Sequence, residues 1–191
     1  MLIDTGHQVY ADPRAGELDE LVDAIRDVVG RHDSWADTAR LVAHELERHL
    51  PSPDVLTAEQ RRGDPERYRA HVLHTEPDGS FSVLALVWRP GQTTPIHDHV
   101  TWCVFGVIQG VEHEELFTLD RTGRYLVEAG SATNTTGEVA GFAPPGDIHR
   151  VRNAGSHTAI SIHVYGTDVS KLGSSVRREY DQPILSRALA A

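Results

Sequence analysis

Cysteine occurs once in this chain of 191 residues, at Cys103. A lone cysteine cannot close an intrachain disulfide, and a cytoplasmic protein is the simple expectation. Long hydrophobic runs are missing too. No stretch approaches the roughly 18 apolar residues of a membrane span. The opening Met1-Leu2-Ile3-Asp4-Thr5 has neither the basic nor the apolar region of a secretory signal. Cations are in deficit: 18 Lys and Arg against 28 Asp and Glu leave a formal charge of -10. With no basic stripe visible, nucleic acid is not an expected partner, and neither is a membrane.

What is present is ordinary for a soluble globular protein, with 39% hydrophobic and 24% charged residues. The length suits one domain with a sizeable core, as a monomer or small homo-oligomer. Histidine is the outlier, at 12 residues. His7, His32, His44 and His49 lie in polar or helical surroundings and read as surface residues. His97, His99, His149 and His163 fall inside β-patterned segments and carry the functional weight.

Residues 1–12 are weakly patterned and expected to be irregular. Leu18, Leu21, Val22, Ile25, Val28 and Val29 then repeat at helical steps, with Gly30 as a stop. A second helix is expected from an N-cap at Asp33 or Ser34, carrying Trp35, Ala39, Leu41, Val42 and Leu46 up to Pro51. A short helical turn over Thr57 to Gly63 completes a helical segment, residues 1–63, packed on the remainder of the chain. From Tyr68 the period becomes that of strand. Strands are expected at Tyr68–His74, Phe81–Trp88, from the histidine pair to Gln109, Glu112–Leu119, Tyr125–Glu128, Glu138–Ala143, Ile148–Val151 and Thr158–Gly166. Ser131–Gly137 reads as polar loop, and the tail beyond Thr167 as an extension packed outside the barrel. Many short strands punctuated by Gly and Pro indicate an all-β barrel or jelly roll over residues 64–191.

The chain is organised around Gly91–Gly110. His97 and His99 alternate along an extended strand, so both imidazoles project from one face. They form half of a metal site, suited to Fe, Zn, Cu or Ni. Asp98 points the other way and reads as structural. A second segment, Gly141-Phe142-Ala143-Pro144-Pro145-Gly146-Asp147-Ile148-His149, likewise runs from glycine through a turn to histidine. The parallel suggests that His149 meets the first pair across the barrel, although spacing alone leaves this open.

These motifs resemble those of the cupin superfamily. The first reads Gly91, His97, His99, Gly110, and the second Gly141, Pro144, Gly146, His149, Asn153. Cys103 stands about where the usual metal-binding Glu would fall. Three histidines without a carboxylate, together with Ser161-Ile162-His163-Val164-Tyr165, resemble the thiol dioxygenases, of which cysteine dioxygenase is best known. The resemblance covers roughly residues 68–166. It implies an all-β cupin (double-stranded β-helix or jelly-roll barrel) with an N-terminal helical cap. It also implies Fe(II) on His97, His99 and His149, a small thiol substrate with O2, and a hydrogen-bonded set Ser161, His163 and Tyr165. Animal members anchor the substrate carboxylate with an arginine two residues after the tyrosine that matches Tyr68. Here that position is Ala70. Cys103 matches the cysteine that animal members link to the active-site tyrosine, so a Cys103–Tyr165 thioether is an implied feature.

Chemically, three neutral imidazoles leave a cationic metal that favours an incoming thiolate. Holding thiol and dioxygen together would let both oxygen atoms pass to sulfur as a sulfinate. L-cysteine is the first expected substrate, with mercaptopropionate or mercaptosuccinate as the alternative. Tyr68, Arg69, His71, His74, Trp102 and Arg150 are the candidate substrate contacts, Trp102 as core or pocket wall. Two other readings stay open. One is a cupin that cleaves carbon–carbon bonds in a diketone, against which the Ser161-His163-Tyr165 set argues. The other is a non-catalytic metal-binding cupin that binds a ligand or senses redox state.

Overall fold

The computed structural model describes residues 13–185; the irregular segment expected over residues 1–12 lies outside them. Its architecture follows from how the central strands are covered. β1 (Arg69–Thr75), β2 (Ser82–Trp88), β4 (Cys103–Gln109), β7 (Val139–Phe142) and β9 (Ala159–Tyr165) form a five-stranded sheet in the order β1-β2-β9-β4-β7. Every residue of β2 and β9 is buried. Alternation divides each strand between two environments. Val83, Ala85, Val87, Ile160, Ile162 and Val164 face a core shared with the helices. Leu84, Leu86, Trp88 and Tyr165 face the barrel interior.

The helices cover the outer face. α1 (Pro13–Val29) supplies Leu21, Val22, Ile25 and Val28 to that core, and α2 (Trp35–Arg48) supplies Ala39, Val42 and Leu46. Ser34 caps α2 by accepting the Asp37 amide at 3.2 Å. Gly106 on β4 lets the end of α2 come close: a Cβ there would lie 2.7 Å from Leu50 Cδ1 and 3.3 Å from Leu46 Cδ2. The turn expected over Thr57–Gly63 shrinks to one 3-10 turn at Gln60–Arg62, with another at Pro53–Val55. No described helix is long and apolar enough to cross a membrane.

The second sheet has six strands. They are β3 (Ile96–His99), β5 (Val111–Leu119), β6 (Leu126–Thr135), β8 (His149–Asn153), β10 (Val176–Tyr180) and β11 (Ile184–Leu185), in the order β10-β3-β8-β5-β6-β11. The two sheets face one another as a jelly-roll barrel, the cupin fold.

Three expectations are corrected. The histidine stretch is not one strand. The chain breaks at Val100–Trp102 and crosses from β3 in one sheet to β4 in the other. Ser131–Thr135 is strand, not loop: it belongs to the long β6, whose residues 128–133 are exposed and therefore show no apolar alternation. The tail does not merely pack outside. After the short α3 (Val169–Leu172), β10 pairs with β3 and sets Val176 opposite His99, while β11 pairs in parallel with β6.

The crossover is locked where β9 ends. Thr101 Oγ1 donates to the Gly166 carbonyl at 3.0 Å, and the Gly166 amide donates to the Trp102 carbonyl at 3.2 Å. A Cβ on Gly166 would overlap Trp102 Nε1 and fall 2.7 Å from Thr101 Oγ1. Gly166→Ala is therefore expected to destabilise the fold by about 1–3 kcal/mol through overpacking. Urea unfolding would register this as a lowered midpoint, and an unchanged midpoint would refute the close contact.

Candidate metal centre

The short β3 presents His97 and His99 on its inner face. Asp98 faces outward and accepts hydrogen bonds from Tyr180, at 2.8 Å, and from Arg177. β8 opens with His149, and strand pairing sets it opposite His97. All three rings are buried, and one nitrogen from each lies within 4.8 Å of the others. Their centroids are 4.7, 4.7 and 5.0 Å apart.

Each ring is tethered through Nδ1. His97 donates to the Pro95 carbonyl at 3.0 Å, His99 to Asp147 Oδ2 at 3.1 Å, and His149 to Glu114 Oε1 at 2.5 Å. A ring nitrogen facing a carbonyl or carboxylate oxygen carries the proton, so the lone pair of each neutral imidazole resides on Nε2. Burial, reinforced by His149 and His99, brings the pKa of His97 down to about 3. Burial also lowers that of His99. Burial alone would raise the Asp147 carboxyl, but hydrogen bonds from the His99 ring and from its amide, 2.9 Å away, hold it below the usual range. The nearby carboxylates are thus occupied in orienting the rings. Three Nε2 donors with oxygen partners behind their Nδ1 atoms fit a divalent transition metal.

A second chain of groups lies beside the triad on the inner face of β9. Ser161 Oγ is 3.0 Å from His163 Nε2, and His163 Nδ1 is 3.2 Å from Tyr165 Oη. Trp88 Nε1 donates to Ser161 Oγ at 3.3 Å. Cys103 sits opposite Tyr165 in the β4–β9 register, its Sγ 3.9 Å from His163 Nδ1. Burial pushes the Cys103 thiol and the Tyr165 phenol well up, so both stay protonated, and pulls His163 down to about 3.

Both constellations open into one cavity of about 180 Å³. Leu84, Leu86, Phe142, Val151 and Val169 make its walls apolar, and Tyr68 lines it while stacked on Trp88 at 4.3 Å. Among the described residues, no arginine or lysine lines it. The other expected substrate contacts are corrected by strand alternation and packing. Ala70 faces the cavity, which turns its neighbours Arg69 and His71 away. Arg69 pairs with Asp64, and His74 bonds Glu76 at 2.9 Å. Arg150, next to the inward His149, is held by both oxygens of Glu115 at 2.8 and 2.9 Å. Trp102 packs in the core beneath the helices.

Sequence reasoning missed the orienting carboxylates and one wall. Glu114 sits in Glu112-His113-Glu114-Glu115, which looks like a solvated face. It shares the inner face with the buried Phe117 only because the strand bulges between Leu116 and Phe117, so simple alternation sets the two on opposite faces. Asp147 precedes His149 by two residues in a turn where Asp is common anyway. Ser174, Ser175 and Val176 line the cavity from the tail, where nothing in the pattern marks them.

Comparison with known proteins adds independent findings. The family model for cysteine dioxygenase type I matches residues 15–178. Curated relatives include cysteine dioxygenase type 1 of Rattus norvegicus, 30% identical over 106 residues, and of Danio rerio, 32% identical over 109 residues. Each alignment takes in 53% of this chain and 52% of the relative, so the chain spans about half the length of the curated relatives it matches. Among solved structures, a recombinant oxalate oxidase in complex with glycolate aligns with a TM-score of 0.44 at 20% identity, over 55% of this chain and 53% of that one.

Removing an orienting partner is expected to weaken metal binding without touching a ligand. Glu114→Gln and Asp147→Asn should each cost roughly 10- to 100-fold in affinity, measured by competition with a chelator. Glu115→Gln, adjacent to Glu114 but turned outward to Arg150, should leave the affinity near wild type. Equal losses in all three variants would contradict the assignment of orienting roles.

Proposed function

The chain belongs to the cysteine dioxygenase type I family, and from that premise we propose that it is an iron(II) thiol dioxygenase. It would place both atoms of O2 on the sulfur of a small carboxylate-bearing thiol, first L-cysteine to its sulfinate, within the cytoplasm. The observation that carries this reading is the meeting of three imidazoles, with no carboxylate among them, and the Ser161-His163-Tyr165 chain in one small apolar cavity.

Ferrous iron held by His97, His99 and His149 would supply the redox chemistry that joins thiol and dioxygen. The protein's own part is orientation and exclusion of water. Tyr165, kept protonated by burial, offers its hydroxyl to a substrate oxygen while His163 fixes its direction and Ser161 fixes that of His163. Leu84, Leu86 and Phe142 keep the cavity dry, which strengthens every polar contact inside it. Cys103 lies next to Tyr165, so a thioether between them belongs to the same proposal.

One observation favours the second substrate reading, mercaptopropionate or mercaptosuccinate. With Ala70 in place of a guanidinium and no other cationic side chain in the described lining, the carboxylate would be met by neutral hydroxyls. Tyr68, Tyr165, Ser174 and Ser175 are the groups available for this. Such donors select a carboxylate by position rather than by charge, and make no provision for an amino group.

The test is anaerobic ferrous reconstitution followed by oxygen-electrode assays against a panel of thiols. Oxygen uptake with stoichiometric sulfinate is expected for at least one small carboxylate thiol. Tyr165→Phe should lower turnover by roughly 10²-fold with bound iron unchanged. Thiol binding without oxygen uptake would instead favour a non-catalytic metal-holding cupin.

A further inference from the structure

Glu112 is a fully buried acid to which the proposed thiol chemistry gives no task. It lies on the inner face of β5, is 0% exposed, and neither carboxyl oxygen has a hydrogen-bond partner in good geometry. An unpaired buried carboxyl of this kind costs stability and calls for a role. The polar groups that act on it across the barrel are the Ser161 hydroxyl and the Trp88 indole. Neither is hydrogen-bonded to it in this structure, so a small turn of the carboxyl is what joins it to Ser161. Asn134 and Asn153 flank it on the neighbouring strands, and Glu114 is the nearest charged group on its own strand. Asn153 is already committed, its amide donating to the Trp88 and His157 carbonyls. On β9 the titratable groups are His163, reached through Ser161, and Tyr165 beyond it, and the Cys103 thiol of β4 lies against His163.

We propose that Glu112 is the inner terminus of the Ser161-His163-Tyr165 chain, and that its proton sets the direction in which that chain points its donors. When Glu112 is protonated, its O–H donates to Ser161 Oγ and the Ser161 hydroxyl donates to His163 Nε2. His163 Nδ1–H then donates to Tyr165 Oη, and the Tyr165 O–H is free to point into the cavity. When Glu112 is ionised, every bond reverses. Ser161 donates to the carboxylate, His163 Nε2–H donates to Ser161, and Tyr165 donates back to His163 Nδ1. In both states Ser161 makes one donation and accepts two bonds, one always from Trp88 Nε1, so neither direction leaves it unsatisfied.

The proton count balances. Ionisation removes one proton from the chain. Glu112 passes its proton to Ser161, Ser161 passes one to His163 Nε2, and His163 Nδ1 passes one to Tyr165 Oη. The proton that Tyr165 already carried leaves to solvent through the cavity, and uptake of one proton there reverses every move. Glu112 is therefore a positioning residue that acts on the cavity through three side chains. Burial raises its pKa to about 7, with the Ser161 contact opposing and Glu114 reinforcing the shift, so both directions are accessible near neutrality. His163 stays neutral there, and its tautomer is what changes.

The readout needs no turnover, so it stands apart from the proposed thiol chemistry. Protein loaded with Zn²⁺ as a diamagnetic occupant and labelled with ¹⁵N-histidine would be titrated by NMR. His163→Gln identifies the His163 signals by their loss. Wild type is expected to pass from the Nδ1–H to the Nε2–H tautomer as pH rises through about 7. Glu112→Gln, which donates but cannot ionise, should hold the Nδ1–H form across the range. Glu112→Asp, which keeps an ionisable carboxyl, should restore the switch. A merely structural Glu112 would alter stability without this pattern. A wild-type tautomer independent of pH, or a switch that persists in Glu112→Gln, would overturn the proposal.

Discussion

One backbone pairing holds the rest in place: His97 on β3 opposite His149 on β8. The register between these short strands decides whether two distant hairpins deliver their imidazoles to the same point. A slip of one residue would turn every side chain of the strand to the other face. Several contacts pin that register. Thr94 Oγ1 accepts the Val151 amide at 3.0 Å, Asp98 ties β3 to β10 through Tyr180 and Arg177, and Asp147 holds both the amide and the ring of His99. The metal centre is thus built by strand register first and by side-chain chemistry second.

Much of this was legible in the sequence. Alternation along β3 put His97 and His99 on one face, and the glycine–turn–histidine parallel pointed to His149. β9 was legible for a less usual reason. Its polar residues, Ser161, His163 and Tyr165, face the barrel interior, and its apolar ones face the helices. A half-solvated strand has the same alternation with the polar side outside, so only the resemblance to a family distinguished the two. The exposed run of β6 was illegible because an edge segment open to solvent has no face to bury. The break at Val100–Trp102 was hidden for the opposite reason: nearly every residue on either side is buried, so the apolar pattern runs on through the crossover. The proposed anchors failed because adjacency in sequence is opposition on a strand. Arg69 and Arg150 sit beside cavity residues and therefore face away from them.

The electrostatics of the interior obey the same constraint. An acidic protein places two carboxylates, Glu114 and Asp147, behind the imidazoles and none among the clustered ligand atoms. Their negative charge strengthens the donor character of the rings while leaving the cation's own charge uncancelled at the cavity. Among the described residues, the other side chains around the cavity add hydroxyls, a thiol, the His163 imidazole and apolar walls, and no arginine, lysine or carboxylate. On the proposed function, charge recognition inside it would fall to the metal, and shape and hydroxyl position would do the remaining sorting.

The segment Gly173–Val176 closes one side of that cavity, with the Val100 amide bonded to the Ser175 carbonyl at 3.0 Å. It supplies no ring to the imidazole triad, but it holds the strand that does: Val176 pairs opposite His99. Cavity wall and ligand strand are consequently coupled, through Val176 and the bond between Val100 and Ser175. A change in this segment that reshapes the cavity therefore also pulls on β3, so the volume of the cavity and the spacing of the imidazoles cannot drift independently.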